Sequence, residues 1–299
     1  IGGNVVIVKH SPHVPRCAAA IDDFFHIAGF DEGVFFCRSD SADAARQLVA
    51  DERVRAIAFT GSSETGREVA SLAGRHLKKC VLELGGSDAF IVMPTADIGE
   101  TLRLGVASRL RASGQACTSA KRFLIHSSVA EEFEARFVAE MNRCECEPQI
   151  SEEAADRLER QVNDSIAAGA QLLCGGTRVS ARMYAPTVLR VHTVDVPVMQ
   201  EETFGPVAPL LRINDMDDAI RAANATPFGL SASIWTTDES EIARFRSRLE
   251  AGQIFVNTPA SSRIDLPFGG TKASGFGRAL ADAGIYEFVQ TMTEVRAWS

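Results

Sequence analysis

No apolar run in the sequence is long enough to cross a bilayer: stretches such as Val5–Val8 and Ala89–Met93 are short and bounded by charge or glycine. A membrane partner is therefore not expected. No signal-peptide pattern opens the chain. A Lys/Arg-rich stripe with interleaved aromatics is also missing, and the net charge of −8 is spread along the chain, so nucleic acid is not an expected partner. Nor is there a disulfide framework. The cysteines, at positions 17, 37, 80, 117, 144, 146 and 174, are scattered and odd in number, a usage that suits a reducing cytoplasm. Cys144 and Cys146 admit two readings, as metal ligands or as incidental loop thiols. With no second pair or His cluster at ligand spacing, no metal is expected. Internal repeats and low-complexity segments are absent too.

What is present is the composition of an ordinary globular protein, 45% hydrophobic and 23% charged over 299 residues, enough for one large or two medium domains. Two are expected. From the start to about residue 82, short aliphatic runs alternate with helical stretches: strands over 5–8, 33–36, 54–59 and 81–84, and helices over 15–28, 42–49 and from the Gly61–Gly66 turn to about 79. Such alternation implies right-handed crossovers and a parallel, doubly wound, Rossmann-like sheet. A second α/β unit follows, with helices over 98–110, 129–143 and 152–168 and strands over 123–125, 171–174, 207–211 and 254–256. The expected organisation is α/β throughout: a partial dinucleotide-binding domain over 1–84, a catalytic domain over 85–280, and a tail over 281–299. Residues 291–298 read either as an edge strand that pairs with another subunit or as an ordinary terminal strand.

Two local features suggest chemistry. Cys117 sits among small and polar residues after a helical stretch, where backbone N–H groups at a turn would lower its pKa and later hold an oxyanion; a small core thiol is the other reading. Glu83 stands between two leucines in an expected buried strand, so it must be paired, protonated or functional, and burial near neutrality would suit a general base. Taken alone, Gly61–Gly66 also reads as an ordinary strand-to-helix turn, and Glu201-Glu202 as a solvated charged pair.

The joint pattern resembles the aldehyde dehydrogenase family. Its motifs appear in order as Phe59-Thr-Gly-Ser-Ser-Glu-Thr-Gly-Arg67, Leu82-Glu-Leu-Gly-Gly86, Gly114-Gln-Ala-Cys117, Glu201-Glu-Thr-Phe-Gly-Pro206 and Pro267-Phe-Gly-Gly-Thr-Lys-Ala-Ser-Gly-Phe-Gly-Arg278. The 34-residue separation of Glu83 and Cys117 is the one that family keeps between its base and its nucleophile. The resemblance implies that Cys117 attacks an aldehyde and passes through a thioester, and that Glu83 activates the hydrolytic water. It implies that Thr60, Gly61 and Ser62 face the cofactor pyrophosphate at a helix start, that Lys9, just after the first strand, reaches the adenosine ribose, and that Glu202 reaches the nicotinamide ribose with Phe204 nearby. Phe268 would wall the substrate pocket.

Lys9–Pro15, Gly86-Ser-Asp88 and Ser119–Arg122 look closest to the succinate-semialdehyde dehydrogenase branch. Pro12 stands where many NAD-preferring members carry an acid, so NADP is expected to be accepted alongside or ahead of NAD. Arg111, six residues before Cys117, either clamps a distal substrate carboxylate or is a solvent-exposed helix residue. A homo-oligomer, dimer or tetramer, is expected. The family's Trp-Asn segment, whose Asn completes the oxyanion hole, is absent, and the 142–150 region is shorter than in relatives. Either the protein is abbreviated or the sequence is part of a longer chain. A protein that began at Ile1 would be expected to be poorly soluble or nearly inactive unless a partner covered its sheet edge. Two further functions stand beside the hydrolytic enzyme: a catalytically impaired relative that binds a partner, and an acyltransferase to coenzyme A, against which Glu83 argues.

Overall fold

The computed structural model describes residues 2–297, which form two compact units. The first comprises residues 2–82, 263–267 and 277–297. Its strands β1 (Val6–His10) and β2 (Phe35–Ser39) pair in parallel, Val6 opposite Phe35 and His10 opposite Ser39. The helix between them, α1 (Pro15–Ile27), starts with proline in its first turn, where the missing N–H is not needed. Phe25 on this helix stacks on Phe35 with ring centroids 3.7 Å apart. Helix α2 (Ala42–Ala50) is capped by Ser41, whose Oγ accepts from the Ala44 N–H at 3.1 Å. After β3 (Ala56–Thr60) come α3 (Ser63–Arg75) and β4 (Lys79–Glu83), which lies beside β3.

Boundaries differ from the sequence reading where the backbone, not the side chain, decides. Lys9 and His10 belong to β1 rather than following it, because parallel pairing with Arg38 and Ser39 satisfies their backbones whatever their polarity. Helix α3 stops before 79 because Leu77 takes a left-handed φ of 53°, which ends the helical turn. Residues 291–297 form no strand in the single chain, where no neighbouring strand pairs with their backbone; Trp298 lies outside the described residues.

The second unit comprises residues 83–262 and 268–276. In chain order it contains β5 (Asp88–Val92), α4 (Ile98–Leu110), β6 (Ala120–His126), α5 (Ser127–Met141), α6 (Glu152–Ala167) and β7 (Gln171–Cys174). A small hairpin, β8 (Arg178–Ser180) and β9 (Met183–Tyr184), leads to β10 (Thr187–Val191), a single turn α7 (Pro197–Gln200) and β11 (Val207–Ile213). Then come α8 (Met216–Asn224), β12 (Phe228–Gly229), β13 (Ser231–Trp235), α9 (Glu239–Arg248) and β14 (Gln253–Val256). Seven of these strands make one sheet in the order β14-β13-β5-β6-β11-β10-β7, parallel throughout except for β7 at the edge.

Both faces of this sheet are covered, as a parallel sheet requires. Side chains alternate across β5 and β6: Ala89, Ile91 and Leu124 join one core with α6, α8 and α9, whereas Phe90, Val92, Phe123 and Ile125 join another with α4 and α5. Phe123 and Phe137 are fully buried with ring centroids 4.7 Å apart, and truncating either to alanine would cost about 3–5 kcal/mol. Because β5, β6, β11 and β13 are parallel, their first residues line up along one edge. The segments entering those strands carry Gly85-Gly86, Cys117, Glu202 and Leu230. Three of the five motifs, those holding Gly85-Gly86, Cys117 and Glu202, therefore lead into the amino ends of strands of this sheet, not to the carboxyl ends favoured by nucleotide sites in open sheets.

Candidate active site

The turn that bears Cys117 is built by backbone reversal. Helix α4 ends at Leu110, and Ala112, Ser113 and Gly114 then adopt φ of 49°, 56° and 77°, turning the chain toward β6. Several bonds hold this conformation. The Ser113 hydroxyl accepts from the Glu147 N–H at 2.7 Å, and Gln115 Oε1 accepts from the Ile150 N–H at 2.8 Å. Buried Arg109 donates to the Gly114 carbonyl at 2.9 Å and to the Thr203 carbonyl at 3.4 Å, tying the turn to the segment that carries Glu202. Gly114 must be glycine, since a Cβ there would overlap the Gly205 carbonyl as well as carry a positive φ.

Cys117 lies half-buried in this turn, and its carbonyl accepts from the Lys121 ammonium at 2.7 Å. Lys121 also donates to the Ala116 carbonyl at 3.0 Å and lies 3.4 Å from Glu202 Oε1, which accepts from the Gly86 N–H at 3.0 Å. A Cβ on Gly86 would come within 3.0 Å of the Cys117 carbonyl, so the glycine lets the two segments touch. Arg111 is exposed, and its guanidinium donates to the hydroxyl of Thr118, next to Cys117. Phe268 is buried and Phe204 is 40% exposed.

Burial pushes the Cys117 thiol up; Asp88 and Glu202 add to the rise, while Lys121 and the Thr118 backbone N–H oppose it. This corrects the expectation of a lowered thiol pKa: the turn N–H is there, but desolvation outweighs it in the chain by itself. Neighbouring groups are similarly displaced. Buried Asp88, bonded to the Ser231 hydroxyl and to its N–H at 3.0 Å, is raised to about 6 by desolvation, against the pull of Lys121, Ser231 and Arg122. Burial lowers Arg109 and Arg122 to about 10.

Glu83 closes β4. Val81, Leu82 and Leu84 around it are buried, and Glu83 itself is half-buried. The stretch after it is fastened by Ser274, whose carbonyl accepts from Leu84 N–H at 3.1 Å and whose hydroxyl donates to the Gly85 carbonyl at 2.7 Å. Ser274 belongs to the last sequence motif, and it gives that motif a structural role the sequence reading had not assigned. Lys121, Arg109, Asp88 and Arg122 were also unassigned as site residues. A charged side chain in a strand start gives no warning of full burial.

In the first unit, Thr60, Gly61 and Ser62 are exposed at the start of α3. Ser62 caps the helix, its Oγ accepting from Thr65 N–H at 3.2 Å, and a Cβ on Gly61 would run into the Phe59 ring. The helix therefore presents its positive end free of a covering side chain from these residues. Lys9 is half-buried in β1.

Residues 1–294 match the model of the aldehyde dehydrogenase family, and the chain belongs to that family. Among curated proteins it is 42% identical to the succinate-semialdehyde dehydrogenase 1 of Mycobacterium ulcerans, named for NADP(+), covering 98% of this chain and 67% of that protein. It is 41% identical to the NADP(+) succinate-semialdehyde dehydrogenase of Mycobacterium avium, over 98% of this chain and 65% of that one. The chain thus spans about two thirds of the length of these relatives. Among solved structures, succinic semialdehyde dehydrogenase from Streptococcus pyogenes, in complex with NADP+, superposes with a TM-score of 0.91 at 32% identity, over 96% of this chain and 66% of that chain. Lactaldehyde dehydrogenase from Escherichia coli gives 0.94 at 28% identity, over 97% and 64%. The α/β architecture expected from the sequence is that of these structures.

Proposed function

We propose that the chain carries the cofactor-binding and catalytic parts of an aldehyde dehydrogenase that oxidises succinate semialdehyde, or a close analogue, to the carboxylic acid with NADP or NAD. The observation that carries this reading is the placement of Cys117 on a rigid turn whose carbonyls are bound by Lys121 and which abuts Gly86. Ionised, the Cys117 sulfur adds to the aldehyde carbon and forms a hemithioacetal. A bound nicotinamide cofactor supplies the hydride acceptor that turns this adduct into a thioester. Glu83 then takes a proton from water, the hydroxide adds to the thioester carbon, and the acid leaves as Cys117 thiolate is restored.

The exposed start of α3 fits an anionic pyrophosphate, with Thr60, Gly61 and Ser62 facing it. With the cofactor bound, Lys9 would reach the adenosine ribose, and Glu202 the nicotinamide ribose with Phe204 nearby. Pro12 brings no carboxylate to repel a 2′-phosphate, and both curated relatives above are named for NADP(+). Phe268 walls the pocket, and Arg111 binds the distal carboxylate of the substrate. All seven cysteines are free, which agrees with a reducing, cytoplasmic setting. Met292 and Val295 are exposed in a segment without strand partners, which supports pairing with a second copy in a homo-oligomer.

The deciding experiment compares wild type with Cys117→Ala on succinate semialdehyde and both cofactors. We expect turnover to vanish while NADP binding, measured by fluorescence titration, persists. Full turnover in the variant, or a substrate adduct on another cysteine by mass spectrometry, overturns the assignment.

A further inference from the structure

Lys121 is fully buried, an unusual place for a lysine; its ammonium donates to the Ala116 carbonyl at 3.0 Å and the Cys117 carbonyl at 2.7 Å, and pairs with Glu202 Oε1 at 3.4 Å. The ammonium is therefore locked in place by the backbone of the nucleophile turn on one side and by the proposed cofactor ligand on the other. The charged groups that face it are Asp88 on β5, Glu202 ahead of β11, Arg109 on α4 and Cys117 itself. Cys117 in turn faces Lys121, Asp88 and Glu202.

We propose that Lys121 is a positioning residue for Cys117: its ammonium fixes the Ala116–Cys117 turn and provides the positive charge against which the thiolate forms, and the Glu202 carboxylate opposes it. Two opposite charges thus act on one sulfur from a shared ion pair. Burial alone pushes the thiol up and leaves it a poor nucleophile at neutral pH. Lys121 is the strongest of the forces pulling the other way, ahead of the Thr118 N–H, and it is held where it can act by bonds that do not involve the sulfur. Glu202 has a second consequence: whatever neutralises or engages its carboxylate strengthens the influence of Lys121 on Cys117.

This inference rests on reading Cys117 as the nucleophile, and the experiment reads thiol chemistry without any turnover. Iodoacetamide alkylation of Cys117 in the full chain is followed across pH by peptide mass spectrometry, which separates this site from the other cysteines. Lys121→Gln keeps N–H donors for the two carbonyls but removes the charge. It should slow Cys117 alkylation at neutral pH about tenfold or more and move the midpoint of the rate profile to higher pH. Glu202→Gln should move the midpoint to lower pH. Lys121→Met removes donors and charge together; should it fail to fold, the two glutamine variants still decide. An unchanged profile in Lys121→Gln overturns the proposal, as do shifts in the same direction for both glutamine variants, which a purely structural role would produce. Loss of the enzymatic reading would show separately, as turnover surviving in Cys117→Ala.

Discussion

The Glu202 carboxylate occupies the space that a side chain on Gly85 would need: a Cβ there would overlap Oε2, while Oε1 accepts from the neighbouring Gly86 N–H at 3.0 Å. The two residues are mutually exclusive in bulk, so Gly85→Ala displaces Glu202 from Lys121 as well. If Glu202 binds the cofactor ribose, the NADP dissociation constant should rise about tenfold or more, the loss of one charge-assisted hydrogen bond. Calorimetric titration checks this, with circular dichroism to establish folding. Unchanged affinity in the folded variant would take Glu202 out of the cofactor site.

Glu83→Gln should separate the two halves of the reaction. Acylation of Cys117 proceeds, but hydrolysis slows by about 10²–10⁴, the usual contribution of a positioned general base. Mass spectrometry of substrate-treated variant should then find the acyl group on the Cys117 peptide. Steady turnover at the wild-type rate, with no acyl-enzyme, would assign the base elsewhere.

Arg111 is tethered to Thr118 yet remains exposed, so its guanidinium is both near Cys117 and open to a ligand. Arg111→Ala should raise KM for succinate semialdehyde about tenfold or more while changing KM for butanal little, because butanal has no distal carboxylate to bind. Equal effects on the two aldehydes would place Arg111 outside the pocket.

Asp88 links stability to pH with an unusual sign for an acid. Its folded-state pKa, about 6, lies above the ordinary 3.8, so the native state binds a proton that the unfolded chain has already lost between those values. Stability from this group is therefore full below about pH 4 and falls as pH rises through 6. The rise corresponds to roughly 3 kcal/mol as an upper figure. Urea unfolding of wild type and Asp88→Asn at pH 4 and pH 7 should show wild type losing ground to the variant by up to that amount at the higher pH. A difference that does not change with pH would contradict the buried, raised carboxyl.

Much of the architecture was legible because it follows from local pattern. Helix α4 and strand β7 fall on their expected residues, and helix α6 differs by one at its end, since each carries periodicity and clear ends. Strand β13 was not anticipated: Ser231-Ala-Ser-Ile-Trp235 has few β-branched residues, and it is a strand because β5 and β14 pair with its backbone on both sides, in a sheet whose covered faces bury all five residues. The same divide runs through the site. Cys117 and Glu83 stood out by motif and spacing, but the direction in which the Cys117 thiol is displaced depends on burial and on Asp88 and Glu202, groups that lie 29 residues before it and 85 after it in the chain. Lys121 and Arg109 look like surface cations in sequence; only the packing of the sheet edge encloses them.

The left-handed run at Ala112 and Ser113 bears on how this scaffold tolerates redesign. A non-glycine residue in that conformation costs about 1–2 kcal/mol, which a glycine avoids while adding roughly 0.5–1 kcal/mol of unfolded-chain entropy. At Ala112, exposed and offering only a methyl group, the exchange is close to neutral or favourable, so glycine at 112 is a substitution the turn accepts. One residue on, the balance reverses: glycine at 113 would relieve the same backbone but strip the hydroxyl that anchors Glu147, and the nucleophile turn would be freed from the segment that braces it.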